Sequence, residues 1–211
     1  MGLARVRRPR DRHLVPEPVT DPRTTPEAVP AESSDPSEPV LRRVGPGGAL
    51  ASDHAFGVAL VTLWHRVVRA GPAGGFPVDA DRGGIARLVP PLVDELRTGR
   101  AVGFAVNAGR LLVGFGLLRP GHGSAEHTAT LPLLLTDPEH LRTGVGDRLL
   151  AALLDAAGQA GIDRVEVAVD PDQADFFGRR GFAEWGRRPG WRRPDGAKTP
   201  ARDELLLGWT A

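Results

Sequence analysis

The stretch LPLLLTDPEHLRTGVGDRLLAALLDAAGQAG, residues 131–161, decides the fold of this chain. It opens on an apolar run that is long enough for a strand and too short for a membrane span. Asp137 and Pro138 follow, and a residue before a proline is pushed out of helical space. From Val145 the apolar residues recur at helical spacing as far as Gly161, a residue type that commonly ends helices. The stretch therefore predicts a strand, a turn and a helix, in that order.

The turn between the predicted strand and helix contains two glycines, Gly144 and Gly146, which let a ligand approach the backbone closely. The first N–H groups of a helix lack partners within it, and the helix dipole makes that end positive. Such a helix start can bind a phosphate or pyrophosphate. A P-loop would need a lysine after the glycines, and a dinucleotide-binding turn would need a third glycine where Leu149 stands. A glycine-containing helix start without a ligand is the remaining alternative.

The turn resembles the pyrophosphate loop of the GNAT acetyltransferase superfamily, which is written Q/R-x-x-G-x-G/A after a strand and a proline. Pro138 falls six residues before Gly144, as it does in that pattern. The chain departs from the pattern at its first position, where Leu141 replaces Gln or Arg.

A second set of motifs follows the loop at the spacing that the family shows. Residues 164–170 alternate apolar and polar side chains, as a strand does. Residues 173–182 then resemble the A-x-x-F-Y-x-x-x-G-F segment, with Phe177 where tyrosine is common. The segment from His127 to Leu131 and the final strands resemble one bacterial branch of the superfamily. The resemblance spans about residues 40–209.

This resemblance implies an α/β fold with a mixed, mostly antiparallel sheet of about six or seven strands. Helices are expected on both faces of the sheet, and a splayed parallel pair of strands in its middle. Residues 39–211 are expected to form this domain. Residues 1–38 are rich in Pro, Arg and Glu and nearly free of large apolar residues, which predicts a disordered tail. The arginine cluster at its start could contact nucleic acid or lipid, but no aromatic residues interleave it, so we expect a solvated tail.

The remaining elements are predicted from periodicity and breakers. They are a strand at 40–44, a helix from Ser52 to about Ala70, a helical region at 78–96 broken at Pro90 and Pro91, a hairpin at 101–118 turning at 107–109, and a strand at 126–135.

The resemblance implies an N-acetyltransferase that moves an acetyl group from acetyl-CoA, its co-substrate, to a primary amine by direct attack. The acyl-CoA would lie between the strands at 126–135 and 164–170. The residues expected to bind it are Leu134, Leu135 and Thr136 through their backbone, Arg142, Thr143, Gly144, Val145 and Gly146 in the loop, and Asp170 and Phe177.

An amine with a pKa near ~10.4 is mostly protonated at neutral pH, so a general base would help. Some relatives place a glutamate where Thr130 stands here, and a threonine cannot act as a base. Glu126 and His127 are the nearest titratable candidates, and we take these three residues as the catalytic candidates. Phe177 offers no hydroxyl to protonate the leaving thiol, whose own pKa of about 8.5 lets it leave as a thiolate.

Other classes of function are less favoured by the sequence. The chain has no cysteine, and its histidines lack metal-ligand spacing, so we expect neither disulfides nor a metal site. No apolar leader follows the basic start, so we expect a cytoplasmic protein, and the resemblance to one branch of the superfamily implies a bacterial one. The alternative is a non-catalytic acyl-CoA-binding module, since Thr130, Phe177 and Leu141 replace helpful groups. The acceptor, a small molecule or a peptide amine, stays open, as does the oligomeric state, with a homodimer as one option.

Overall fold

The computed structural model describes residues 38–46, 54–71, 74–195 and 199–211. Its strands are β1 (Pro39–Val44), β2 (Val102–Ala108), β3 (Leu111–Pro120), β4 (Thr128–Thr136), β5 (Arg164–Val169), β6 (Ala183–Arg192) and β7 (Arg202–Thr210). Its α-helices are α1 (His54–Ala70), α2 (Arg82–Arg97), α3 (Val145–Gln159) and α4 (Ala174–Gly178). Residues 1–37 of the predicted tail and the predicted cap Ser52 lie outside the described ranges.

All seven strands join one sheet in the order β1-β2-β3-β4-β5-β7-β6. Every neighbouring pair is antiparallel except β4 and β5, which run parallel. The expected mixed sheet with one parallel pair in its middle is confirmed. None of the helices in the described ranges is long and apolar enough to cross a membrane.

The core lies on both faces of this sheet. On one face, α1 and α2 pack against the middle strands, with Phe56 edge-on to Phe115 at 5.8 Å between ring centroids. On the other face, α3 packs on β3, β2 and β4. A Cβ at Gly114 would lie 2.5 Å from Val145, and one at Gly116 would lie 2.7 Å from Leu153, so α3 approaches the sheet where β3 has no side chains.

Strand β4 contains a bulge that changes which face its side chains occupy. Its register against β3 shifts between the pairs Leu117–Leu133 and Arg119–Thr130, so three steps on β4 match two on β3. Pro132 lies inside this interval and has no N–H to donate. Leu131 therefore packs on the face with α3, whereas Leu133 packs on the face with α1. The bulge lies immediately after the last residue that pairs with β5.

Three details of the predicted elements are wrong. The second helical region does not break at Pro90 and Pro91, because α2 runs through both. Both prolines are exposed, while the residues on either side of the pair, Val89 and Leu92, are buried against α1, so packing outweighs the lost backbone bonds. The helix begins at Arg82, four residues later than predicted. The hairpin also turns later, between Ala108 and Leu111, at a glycine with φ +56°.

Candidate active site

The two parallel strands diverge and leave a gap that runs toward their C-terminal ends. β4 and β5 pair only from Thr128–Arg164 to Thr130–Glu166. Beyond these pairs β4 stays bound to β3, and β5 stays bound to β7. The backbone of β4 that faces β5 after Thr130 therefore has no strand partner.

Backbone alternation decides which groups of β4 face this gap. Asp137 N donates to Val113 O at 2.8 Å, in register with the paired strands. Because successive residues of a strand direct their backbone groups to opposite sides, Leu135 bonds to β3, whereas Leu134 and Thr136 face the gap. The backbone groups of two of the three strand residues predicted to bind the acyl-CoA therefore face the gap, and those of Leu135 face away from it.

The predicted pyrophosphate loop lies beyond the C-terminal end of β4. Gly144 is left-handed, with φ +85° and ψ 0°, and Arg142 also has a positive φ of +63°. The first helical bond of α3 runs from Arg148 N to Gly144 O at 3.0 Å, so the amides of Val145 and Gly146 have no acceptor in the helix. A left-handed residue followed by a helical one brings successive N–H groups into a concave anion site. A Cβ added at Gly144 would meet no atom within 4 Å, so the loop opens to free space there.

A buried ion pair anchors the turn that leads into this loop. Asp137 is 0% exposed, and its Oδ1 accepts from Glu139 N and from Arg66 Nη2, each at 3.0 Å. Arg66 Nη1 lies 3.0 Å from the other carboxylate oxygen without hydrogen-bond geometry. Arg66 also reaches Glu139 at 3.0 Å. The pair ties helix α1 to the loop, and the sequence offered no signal for it because the partners lie 71 residues apart.

Two adjacent phenylalanines of α4 take different positions. Phe177 is buried, and its ring contacts Phe176 and Phe182 edge-on at centroid distances of 5.0 and 5.3 Å. Phe176 is half-buried; a Cβ at Gly146 would lie 3.4 Å from its ring, and Arg180 stacks over it at 3.7 Å. The ring that borders the start of α3 is therefore Phe176, which the sequence motif did not single out. The contact of Phe177 with coenzyme stays a prediction.

The three catalytic candidates lie at the paired end of β4. Glu126 is exposed and follows a short 3-10 turn, Gly123–Ala125. His127 is exposed, and its carbonyl accepts from Asp163 N at 3.0 Å. Thr130 is exposed opposite Glu166, at the point where the gap begins. None of the three makes a side-chain hydrogen bond or ion pair within the described ranges, and their catalytic role stays a prediction.

Asp170 follows directly after β5, at the open end of the gap. Together with Glu204 of β7 it lines a pocket of about 280 Å³. The walls of this pocket come from the connection between α1 and α2 and from the connection between β6 and β7. Val78 N donates to Pro194 O at 3.0 Å and joins these two connections. We call this the β5-end pocket.

Among the residues that the structure describes, no group of three or more His, Asp or Glu side chains is arranged to hold a metal ion.

Comparison with known proteins identifies the family of the chain. Residues 79–182 match the model of the acetyltransferase (GNAT) family. That range contains α2, the strands that flank the gap, the loop, α3 and α4. No curated protein matches the chain by sequence.

Solved structures share this fold at low sequence identity. An acetyltransferase of the GNAT family from Streptococcus pneumoniae has a TM-score of 0.64 at 15% identity, over 82% of this chain and 100% of that one. The ribosomal-protein-S18-alanine N-acetyltransferase of Escherichia coli has a TM-score of 0.60 at 16% identity, over 82% and 94%. A PaiA N-acetyltransferase from Thermoplasma acidophilum in complex with coenzyme A has a TM-score of 0.57 at 16% identity, over 82% and 99%. The chain therefore contains an acetyltransferase (GNAT) family domain, to which residues 79–182 match.

Proposed function

We propose that this protein transfers an acetyl group from acetyl-CoA to a primary amine, which attacks the thioester directly. The observation that carries the proposal is the gap between β4 and β5, which leads to the open loop at the start of α3. A long, flexible donor with a charged pyrophosphate at one end and a neutral amide arm at the other matches this pair of features. Family membership supports acyl transfer in general.

The loop suits the pyrophosphate of the donor. The free amides at the start of α3 offer hydrogen bonds to an anion, and the helix dipole adds positive potential. The Arg142 side chain is exposed beside these amides and can add charge-assisted bonds. Thr143 supports the turn, because its hydroxyl donates to His140 O at 2.7 Å.

The gap suits the amide arm and the thioester. Leu134 and Thr136 offer backbone donors and acceptors to a ligand that lies beside β4 like an added strand. An N–H group from one of them would polarise the thioester carbonyl while negative charge develops on its oxygen. The amine must be neutral when it attacks, so proton removal is a separate requirement of the site.

Substitution at Gly144 tests the coenzyme site. We expect Gly144→Glu to abolish acetyl-CoA binding in calorimetry, because it brings a negative side chain to the proposed pyrophosphate position. Gly161→Glu is a matched control: Gly161 lies just past the other end of α3, has φ +75°, and has equal free space around a Cβ. Both variants carry similar backbone strain, so only a ligand effect separates them. Equal acetyl-CoA affinity in the two variants would refute the assignment.

Release of CoA with a panel of primary amines then separates catalysis from binding alone. Amine-dependent release supports acetyl transfer. Tight acetyl-CoA binding without release for any amine would favour the non-catalytic acyl-CoA-binding module.

A further inference from the structure

The β5-end pocket brings together two buried carboxylates, two arginines and two aromatic rings. Of the arginines, Arg192 is bonded to Glu204, and the side chain of Arg193 is exposed to solvent. Asp170 and Glu204 are each 4% exposed. Phe76 comes from the connection between α1 and α2, and Trp191, at the end of β6, is 65% exposed. The pocket volume of about 280 Å³ lies near the lower limit for small-molecule sites, which suits a small ligand or a single side chain.

Glu204 is already neutralised within the protein. Arg188 Nη1 donates to its Oε2 at 2.8 Å, and Arg192 Nε donates to its Oε1 at 2.7 Å. Both oxygens therefore have a charged partner, and Glu204 needs no ligand.

Asp170, in contrast, has no partner among the described residues. Its Oδ1 is fully buried without a hydrogen bond, and its side chain does not cap the 3-10 turn Pro171–Gln173 that follows. The nearby Arg202 is bonded to Asp172 instead, at 3.0 Å. A buried carboxylate without donors is costly, unless a ligand supplies both hydrogen bonds and positive charge.

The chemistry of the pocket selects a cation. An anionic ligand would be repelled by Asp170, and a neutral hydroxyl would leave its charge balanced by Arg192 and Arg202 alone, neither of which is hydrogen-bonded to it among the described residues. An ammonium group offers donors and a positive charge, and Phe76 can pack on its carbon body. One face of Trp191 is already covered by Arg188, which lies 5.3 Å from the ring centroid, so the opposite face is the one that a ligand could use.

We propose that Asp170 binds the ammonium form of the acceptor amine and takes its proton, so that the pocket selects small cationic primary amines. This inference rests on the proposed acetyl transfer and assigns Asp170 to the acceptor rather than to the coenzyme. One N–H proton passes from the ammonium group to the Asp170 carboxylate. The freed lone pair then forms a C–N bond with the thioester carbon, and the C–S electron pair leaves on sulfur. The second N–H proton ends on that thiolate, giving an amide and CoA.

The surroundings of Asp170 support proton transfer. Burial raises the pKa of its carboxyl group above the usual aspartate range, and Asp172 and Glu204 act in the same direction. Arg192 and Arg202 oppose this rise in pKa. A higher pKa makes the carboxylate a better proton acceptor for an ammonium group.

Binding of three matched probes tests the selectivity without any turnover. Phenethylamine, 2-phenylethanol and phenylacetate share one ring and differ in charge. We expect calorimetry on the protein with CoA present to show phenethylamine binding at least about tenfold tighter than the alcohol, a difference of about 1.4 kcal/mol. Asp170→Asn should remove this preference. Asp163→Asn, the same change at the exposed far end of β5, should keep it. Equal binding of all three probes by the unsubstituted protein, or an unchanged preference in Asp170→Asn, would overturn the proposal.

Kinetics on any amine that releases CoA tests the proton transfer. We expect Asp170→Asn to lower kcat by roughly 10²–10⁴-fold, the usual effect of a positioned base. The remaining rate of the Asp170→Asn variant should rise with pH, because the unprotonated amine accumulates, while KM for acetyl-CoA stays constant. A raised KM for acetyl-CoA with unchanged kcat would place Asp170 at the coenzyme and refute the inference. Failure of the proposed acetyl transfer would appear differently, as no CoA release by the unsubstituted protein with any amine, whatever the probes show.

Discussion

At the scale of single residues, the burial of the Asp170 carboxylate costs folding free energy, and we propose that the same burial serves proton transfer. Its carboxylate is buried and unpaired within the described ranges, whereas Glu204 beside it is held by two arginines. Residues poised for chemistry are commonly held in such unfavourable surroundings, and removing them often stabilises a protein. The arrangement therefore predicts opposite effects of one substitution on activity and on stability.

We expect Asp170→Asn to raise the free energy of unfolding at neutral pH, because it removes a buried charge and keeps the shape. Since burial raises the folded-state pKa, the stabilising contribution of Asp170 is complete below the usual value of 3.8 and is lost as pH rises through the raised pKa. The gain in free energy of unfolding that Asp170→Asn brings should therefore be largest above that pKa and shrink toward acid pH. Denaturant unfolding across pH measures it, with Asp163→Asn as the control that shows no such trend. A variant less stable than the parent at neutral pH would contradict this prediction.

Which residues share a motif could be predicted from spacing, but their contacts could not. The sequence pattern selected Phe177, yet Phe176 borders the start of α3, because spacing alone does not decide which side of a five-residue helix turns to the core. The pairing of Arg66 with Asp137 joins residues far apart in the chain, so no local pattern carries it. Leu135 was predicted to face the coenzyme, and only the register with β3 shows that its backbone is already bonded.

At the scale of elements, helix α3 and strand β3 set the position of the proposed pyrophosphate loop. The helix starts at Val145, directly after Gly144, and Val145 packs against Gly114 of β3. Glycine at this strand position therefore matters for its small size, since it lets the helix start lie against the sheet. A side chain there would push on the residue next to the proposed anion site.

We expect Gly114→Ala to destabilise the protein by about 1–3 kcal/mol, the usual effect of overpacking, and to weaken acetyl-CoA binding. The new Cβ would lie 2.5 Å from Val145 Cγ1 and 2.9 Å from Leu149 Cδ1. Gly158→Ala, near the other end of α3, is the control: its Cβ would meet no atom within 4 Å, and helix propensity favours alanine by up to about 1 kcal/mol. Thermal unfolding and calorimetry measure both effects. Unchanged stability in Gly114→Ala would show that α3 shifts freely on the sheet.

The type and order of the elements could be predicted because each depends on local periodicity and breakers. Helix α3 begins and ends where the glycines indicated, and both strands of the parallel pair were expected. The unbroken course of helix α2 could not be predicted, because it depends on the packing of the buried residues around Pro90 against α1. A local sequence pattern does not show that contact. The bulge at Pro132 likewise depends on register with β3.

At the scale of the whole molecule, the site is assembled from parts that are distant in sequence. The strand order places β7 between β5 and β6, so Glu204 comes to lie beside Asp170. The bond from Val78 to Pro194 closes one side of the pocket across more than half of the chain. Motif order was enough to predict the sheet and the glycine turn that precedes α3. The pocket depends on long-range topology, which no local sequence pattern carries.

We expect a chain that starts at Glu38 to unfold within about 2–4 °C of the full chain, which corresponds to about 1 kcal/mol. The residues that the sheet needs begin at Pro39, which pairs with Ala108 and accepts a bond from Arg148 Nη1 at 2.8 Å. The preceding residues lack the apolar pattern that a packed segment requires.

A chain that starts at Gly45 is the matched control for this truncation. This truncation removes β1, including Val44, which is 0% exposed. The shorter chain should therefore unfold at a clearly lower temperature, which would show that the measurement is sensitive. Scanning calorimetry with and without acetyl-CoA compares the three chains. If the chain from Glu38 lost as much stability as the chain from Gly45, the first 37 residues would have to pack on the domain. If it kept its stability but lost the shift with acetyl-CoA, those residues would take part in binding.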